Sequence, residues 1–218
     1  METINGIKND QQQVPEWYLQ KLGRFGCSQF YRLMTEPKLK ADKEAGNLSQ
    51  GAMTYVLECV AERLTGQKAK EDFTSKFTEW GNDHEPIAKG IYNSVFEVVI
   101  ADTGYIEWQH NAGGSPDGLV CEDGLVEIKC PYTITSHLEH KLNDLADKPE
   151  YYWQCLGYLL ITGREWIDFI SYSPHYPAKL QLIKKRLNAS EVHDDLKRLE
   201  TKIIKANQVF TEILNNLK

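Results

Sequence analysis

The sequence predicts an α/β fold in one domain, a mixed central sheet flanked by helices. Three observations predict it. Apolar residues recur at helical spacing over Ser49 to Leu64 and again over Ser190 to Leu217. After Gly104 the pattern changes to short apolar runs separated by Gly and Asp turns. An aromatic-rich helical stretch then divides those runs from two more, so helices and strands interleave. At 218 residues the chain suits one well-buried domain and is short for two. A single domain over 1–218 is expected, with residues 1–14 as a polar lead-in.

The elements follow in order. Glu16 to Lys21 reads as a short helix after Pro15, and Gly23 to Cys27 as a glycine-flanked turn. Ser28 suits the N-cap of a helix over Gln29 to Met34. Glu36 to Asn47 is polar and charged, an exposed loop. In Ser49 to Leu64 the residues Met53, Val56, Leu57, Val60, Ala61 and Leu64 share one helical face, closed by Gly66. Thr74 to Ile100 is helical in pattern, with a break expected near Gly81 and Pro86. Proline disfavours helical geometry at the residue before it, which places Glu85 at a kink or junction. Tyr105 to His110, Ser115 to Val120 and Leu125 to Cys130 read as strands. Glu150 to Ile161 reads as a helix. Trp166 to Ser173 and Lys179 to Arg186 are strands around a Pro174/Pro177 turn. Ser190 to Leu217 is a long amphipathic helix with Ser190 as its cap.

Composition narrows the classes. A hydrophobic share of 41% is ordinary for a globular protein. No apolar run approaches the ~20 residues of a membrane span. Met1 to Gln13 lacks the apolar core of a secretory signal, so no membrane association and a cytoplasmic location are expected. Cys27, Cys59, Cys121, Cys130 and Cys155 contain no C-x-x-C pair, which argues against a zinc or disulfide framework. They are expected to be buried, reduced and structural. The six histidines, His84, His110, His137, His140, His175 and His193, form no ligand set for zinc. A net charge of −6 is unlike a passive DNA-coating protein. It leaves room for an enzyme with a local basic lining. Lys38/Lys40/Lys43 and Lys184/Lys185/Arg186 are candidate patches, read first as solvated faces.

The chemistry concentrates in Ser115-Pro116-Asp117-Gly118-Leu119 and Glu127-Ile128-Lys129. Side chains alternate along a strand, so Glu127 and Lys129 share a side, roughly 6.6 Å apart along it. Asp117 reaches the same side across the hairpin. Magnesium is usually held by one or two carboxylates and keeps several waters. Asp117, Glu127 and the Ile128 carbonyl would form such an open shell, able to polarise a phosphate and acidify a water. Lys129 would orient that water, assist its deprotonation, or offset charge on the phosphate. The set points to a metal-dependent nuclease. Either fragment alone is an ordinary turn or a solvated strand face; the combination carries the reading.

With Cys130-Pro131 added, these segments resemble the PD-(D/E)xK nuclease signature. More narrowly, they resemble phage lambda exonuclease and the YqaJ-type viral recombinases. Trp17 through Gly23 to Ser28, Trp80-Gly81-Asn82-Asp83-His84-Glu85, and the Gln154 stretch from Tyr152 to Tyr158 agree in order, so the resemblance covers Trp17 to Tyr172. It implies a restriction-endonuclease-like fold with Asp117, Glu127 and the Ile128 carbonyl as metal ligands and Lys129 as the catalytic lysine. Glu85 would complete the site for a second metal or the attacking water, and Gln154 would position the lysine or that water. Ser28 and Lys21 would bind the substrate's 5′-phosphate. The expected cofactor is Mg2+, in two ions, with Mn2+ able to substitute. The expected activity is 5′-to-3′ digestion of one strand of linear duplex DNA to 5′-mononucleotides, leaving a 3′ single strand. The expected assembly is a homotrimeric ring around DNA, with a phage single-strand annealing protein as partner. The chain departs from the family after Cys130-Pro131-Tyr132-Thr133, where an expected arginine is absent; His137 or Lys141 would have to compensate. No cysteine follows Cys155, against the C-terminal cysteine trio of iron–sulfur nuclease relatives. A restriction-like endonuclease and a non-catalytic DNA-binding protein on the same scaffold are the competing readings.

Overall fold

The computed structural model describes residues 19–70 and 76–217. Residues 1–14, Trp17, the start of the helix expected from Glu16, and Thr74 lie outside the described residues.

Strand β1 is Phe25–Gly26, so the expected turn over Gly23 to Cys27 ends in a strand paired in parallel with Ala112 and Gly113. A 3-10 turn over Cys27–Gln29 leads into α1, Phe30–Leu33. Ser28 lies inside that turn and caps nothing. Burial of Phe30 and Leu33 holds α1 instead. The expected loop over Glu36 to Asn47 contains a short helix, α2 (Lys40–Glu44), with no buried residue.

Helix α3 is Gln50–Thr65. Ser49 Oγ accepts from the Ala52 amide at 3.0 Å, and Gly66 ends the helix at φ 68, a conformation glycine adopts without a Cβ penalty. Its buried face is Ala52, Tyr55, Val56, Cys59 and Val60, whereas Leu57 and Leu64 are exposed. Two polar anchors set this rotation: the Gly26 amide donates to Tyr55 Oη at 2.8 Å, and Cys59 Sγ donates to the Arg24 carbonyl.

Helix α4 (Lys76–Phe96) runs unbroken through Gly81 and Pro86. Pro86 cannot donate to the Asn82 carbonyl, but both residues are exposed and water can satisfy that group. The helix ends at Phe96, and Ile100 belongs to β2 (Ile100–Ala101).

The remaining strands are β3 (Ile106–Trp108), β4 (Ala112–Gly114), β5 (Gly118–Val120), β6 (Gly124–Lys129), β7 (Trp166–Tyr172) and β8 (Leu182–Asn188). The remaining helices are α5 (Ile134–Leu142), α6 (Pro149–Thr162), α7 (Ala178–Gln181) and α8 (His193–Asn216). Strand β8 starts later than expected because residues 178–181 form one helical turn after Pro177. Helix α8 starts at His193 with no side-chain cap, so Ser190 does not cap it; burial of Leu199, Ile203, Ala206 and Phe210 orders it.

A five-stranded sheet has the order β2-β5-β6-β7-β8, and a three-stranded sheet has the order β1-β4-β3. Only the β6/β7 pair is parallel in the larger sheet. Both faces of β6 are covered. Leu125 faces a core with Ile167, Phe169, Leu156 of α6 and the buried faces of α1, α3 and α8. Val126 and Ile128 face a second core with Ile170, Tyr172, Ala88 and Tyr92 of α4. Sandwiching between helix layers explains why β6 and β7 are buried nearly throughout.

Asp168, fully buried on β7, accepts two bonds from Arg186 at 2.7 and 2.8 Å and one from Tyr92 Oη at 2.7 Å. Its third partner is Lys184 at 3.5 Å. The candidate patch Lys184/Lys185/Arg186 is thereby largely a structural counter-charge. Cys27, Cys59 and Cys155 are buried and Cys130 partly so, all unbridged. Cys121 departs from expectation: it is exposed, in the β5–β6 turn, at φ 51. Among the described residues no helix is long and apolar enough to cross a membrane.

Candidate active site

The β5–β6 hairpin builds the centre. Its register pairs Gly118 with Val126, which sets Asp117, just before β5, opposite Glu127. A Cβ on Gly118 would lie 2.1 Å from Ile100 Cγ2, so only glycine lets β2 close over this position. The Ile128 amide donates to Asp117 Oδ2 at 2.6 Å and fixes that carboxylate. Arg164 clamps the far turn by donating to the carbonyls of Cys121 at 3.0 Å and Gly124 at 2.8 Å.

On β6 the Lys129 ammonium donates to Glu127 Oε1. Glu127 is 1% exposed, and its Oε2 is buried without a hydrogen-bond partner. Such an orphaned oxygen is costly unless something positive meets it. The electrostatics agree. Burial, then the Glu127 charge, pushes the Asp117 carboxyl up to about 7. Burial likewise raises Glu127, against the pull of Lys129. Burial works against the Lys129 charge, but Glu127 and Asp117 outweigh it and hold the ammonium well above its ordinary range. The Lys129 ammonium also lies 5.7 Å from the centre of the Tyr151 ring.

Gln154 and Tyr158 approach from α6. Gln154 Nε2 donates to Tyr158 Oη at 3.0 Å, and Tyr158 Oη donates to the Ser115 carbonyl at 3.0 Å. The chain of bonds ties the loop before Asp117 to the helix and leaves the Gln154 carbonyl oxygen as the group it can turn toward the site. Glu85, within the continuous helix α4 rather than at a junction between two helices, pairs with Lys89 at 3.1 Å. Burial and the Asp117 charge raise its pKa.

A cleft of about 580 Å³ opens over this centre. Asp117, Glu127, Lys129, Gln154, Ser28 and Lys21 all line it. Glu85 does not line it, and Ile128 contributes its amide bond to Asp117 from behind. The rest of the lining is basic on balance: Arg24, Arg32, Lys68 and Lys70 join Lys21, together with Glu58 and Glu62. Beyond Lys21, sequence reasoning missed this lining, since these residues are scattered among other motifs; for Arg24 and Arg32 the available signal is the recurrence of cations within a turn or two of Ser28. Arg32 is held by a bidentate pair with Glu58 at 2.6 and 2.9 Å, and Lys70 joins Glu58 at 2.8 Å. Neither His137 nor Lys141 lines the cleft. His137 is buried, with Nδ1 2.9 Å from Ser171 Oγ and Nε2 donating to the Leu180 carbonyl, so it cannot replace the absent arginine.

The donors suit a hard divalent cation. Two carboxylates converge with one oxygen unpartnered. Among the described residues no three His, Cys, Asp or Glu side chains are arranged to hold a metal by themselves. Magnesium is usually held by one or two carboxylates and completes its shell with water.

The β2-β5-β6-β7-β8 sheet, with an acidic pair and a lysine on one hairpin, defines the class: a nuclease fold of the PD-(D/E)xK type. The model of the YqaJ-like viral recombinase domain matches residues 16–165, and the chain belongs to that family. The crystal structure of LHK-Exo in complex with dAMP is similar over 94% of this chain and 96% of its own, at 27% identity and a TM-score of 0.78. The alkaline exonuclease LHK-Exo from Laribacter hongkongensis is similar over 94% of this chain and 100% of its own, at 26% identity and a TM-score of 0.70. A phage-related exonuclease from Haemophilus somnus 129PT shares the fold over 89% of this chain and 96% of its own, at 23% identity and a TM-score of 0.70. No curated protein matches the chain at a significant level. The family and the fold make the protein a nuclease of the viral recombinase class.

Proposed function

We propose that residues 1–218 act as one Mg2+-dependent exonuclease domain that digests one strand of linear duplex DNA from its 5′ end. The observation that carries this reading is the buried, unpartnered Oε2 of Glu127 beside Asp117 and Lys129, at a cleft whose remaining lining is basic on balance. The LHK-Exo structure holding dAMP supports release of mononucleotides.

Asp117, Glu127 and the Ile128 carbonyl would hold the metal, with Glu85 completing a second position; Mn2+ would substitute. When bound, the metal supplies Lewis-acid polarisation of the phosphate and a more acidic water. The residues do the rest. Lys21 and Ser28 bind the terminal 5′-phosphate, and Arg24 and Arg32 add positive potential along the same cleft. Gln154, held by Tyr158, accepts a hydrogen bond from the attacking water or from Lys129. Water attacks the phosphorus between the first and second nucleotides, and the bond to the first nucleotide's O3′ breaks. The products are a 5′-mononucleotide and a shortened strand with a new 5′-phosphate. Lys129, beside Glu127 at the cleft, offsets charge on the phosphate or orients the attacking water.

The working form in this proposal is a homotrimeric ring threaded by DNA, handing a 3′ strand to a phage single-strand annealing protein in the cytoplasm of a bacterial host. An exposed apolar row on α5, Ile134, Leu138 and Leu142, supports such contacts. The test is digestion of linear duplex labelled separately at each end, beside supercoiled circles, with Mg2+ and with EDTA. The expected result is 5′ label released as mononucleotide with Mg2+ only, with circles intact. Cleaved circles, or digestion unaffected by EDTA, would overturn the proposal.

A further inference from the structure

Lys89 lies one helical turn beyond Glu85 on α4, its side chain 16% exposed. Its ammonium is shared between two carboxylates, Glu85 Oε1 at 3.1 Å and Asp102 Oδ1 at 3.2 Å. Asp102 follows β2, whose pairing with β5 carries it toward Gly118, the neighbour of Asp117. Glu85 is thus paired with Lys89 while its charge still reaches Asp117 and Glu127.

We propose that Lys89 is a positioning residue that holds Glu85 back while the site lacks metal and yields it when a cation arrives, staying neutralised by Asp102. This rests on the reading of Glu85 as part of the metal site. The physical argument is one of stranded charge. A lysine with one partner could not release it, because a mostly buried ammonium would be left unpaired. With Asp102 in place, Glu85 can turn to the cation while Lys89 keeps an anion. Asp102 is half exposed, so its own charge stays hydrated in either arrangement.

The test is Mn2+ binding by calorimetry on the full chain, with thermal melting in EDTA to confirm folding. Lys89→Gln removes the competing ammonium and should tighten the Mn2+ step that uses Glu85 by about tenfold, the worth of one charge-assisted hydrogen bond. Lys89→Arg should keep wild-type affinity. Asp102→Asn leaves the lysine wholly to Glu85 and should weaken that step by about threefold. It alters an exposed side chain, so it also serves if Lys89→Gln fails to fold. A general change in local charge would produce the same signs, and a cycle with Glu85→Gln separates the two. If Lys89 acts through Glu85, Lys89→Gln should change nothing in the Glu85→Gln background. An undiminished shift there, or no shift from Lys89→Gln or Asp102→Asn in the wild-type background, would overturn the proposal. Wild-type protein that bound no Mn2+ would instead overturn the metal-site reading beneath it.

Discussion

Asp117→Asn should stabilise the metal-free fold while removing metal binding. Burial and the neighbouring Glu127 push the Asp117 carboxyl from 3.8 up to about 7. A carboxyl raised this way binds protons more tightly folded than unfolded. Stability therefore falls as pH rises from about 4 to about 7 and is flat above, with the full cost present at pH 8. That cost corresponds to about 4 kcal/mol; Asp117 stays partly open to the cleft, and halving for solvent leaves about 2 kcal/mol. Asparagine carries no charge and can still accept from the Ile128 amide. In EDTA at pH 8 the variant should melt above wild type by about 4–8 °C for a chain of this size. The gap should narrow toward pH 5, where much of the penalty has gone. Adding Mn2+ should raise the wild-type melting temperature and leave the variant where it was. A variant that melted at or below wild type in EDTA, or a gap that stayed constant between pH 8 and pH 5, would refute the reasoning.

Three further outcomes are expected. Lys129→Ala should slow cleavage by about 10³-fold or more with DNA affinity nearly unchanged, checked by single-turnover digestion beside filter binding. A 5′-hydroxyl end should be digested more slowly than a 5′-phosphate end, and Ser28→Ala with Lys21→Ala should erase the difference; equal rates in wild type would remove the phosphate pocket. His140 is driven down to about 4 by burial, with the charges of Lys148 and His137 adding to it. Folding then keeps it neutral. Stability is unaffected above its ordinary value of 6.5 and is lost as pH falls from there toward about 4, by about 3 kcal/mol in all. Urea melts at pH 7.5 and pH 4.5 should show His140→Asn, which keeps a donor for Ser171, losing less on acidification than wild type.

Features set by neighbours in the chain were legible beforehand. Strand alternation places Glu127 and Lys129 on one side, and a short hairpin brings Asp117 opposite, so the central trio follows from local geometry. The Ser49 cap and the Gly66 terminator are equally local. Ser28 and Ser190 had the right residue type for caps, but burial decided those helix starts without using a side-chain oxygen. Pro86 suggested a break, yet its exposed position lets α4 continue, and so Glu85 sits one turn from Lys89 on the same helix.

By itself the sequence determined the alternation of helices and strands, the hairpin and the chemistry its three side chains can perform. The tertiary structure alone decided which distant residues face that hairpin. The basic lining of Arg24, Arg32, Lys68 and Lys70, the hold of Tyr158 on Gln154 and Ser115, and the pairing of Lys89 with Asp102 all arise from packing between separate elements. The reason is physical: hydrogen-bond geometry along a strand or helix acts over a few residues, whereas burial, and the charge pairing it forces, acts between segments that only the folded core brings into contact.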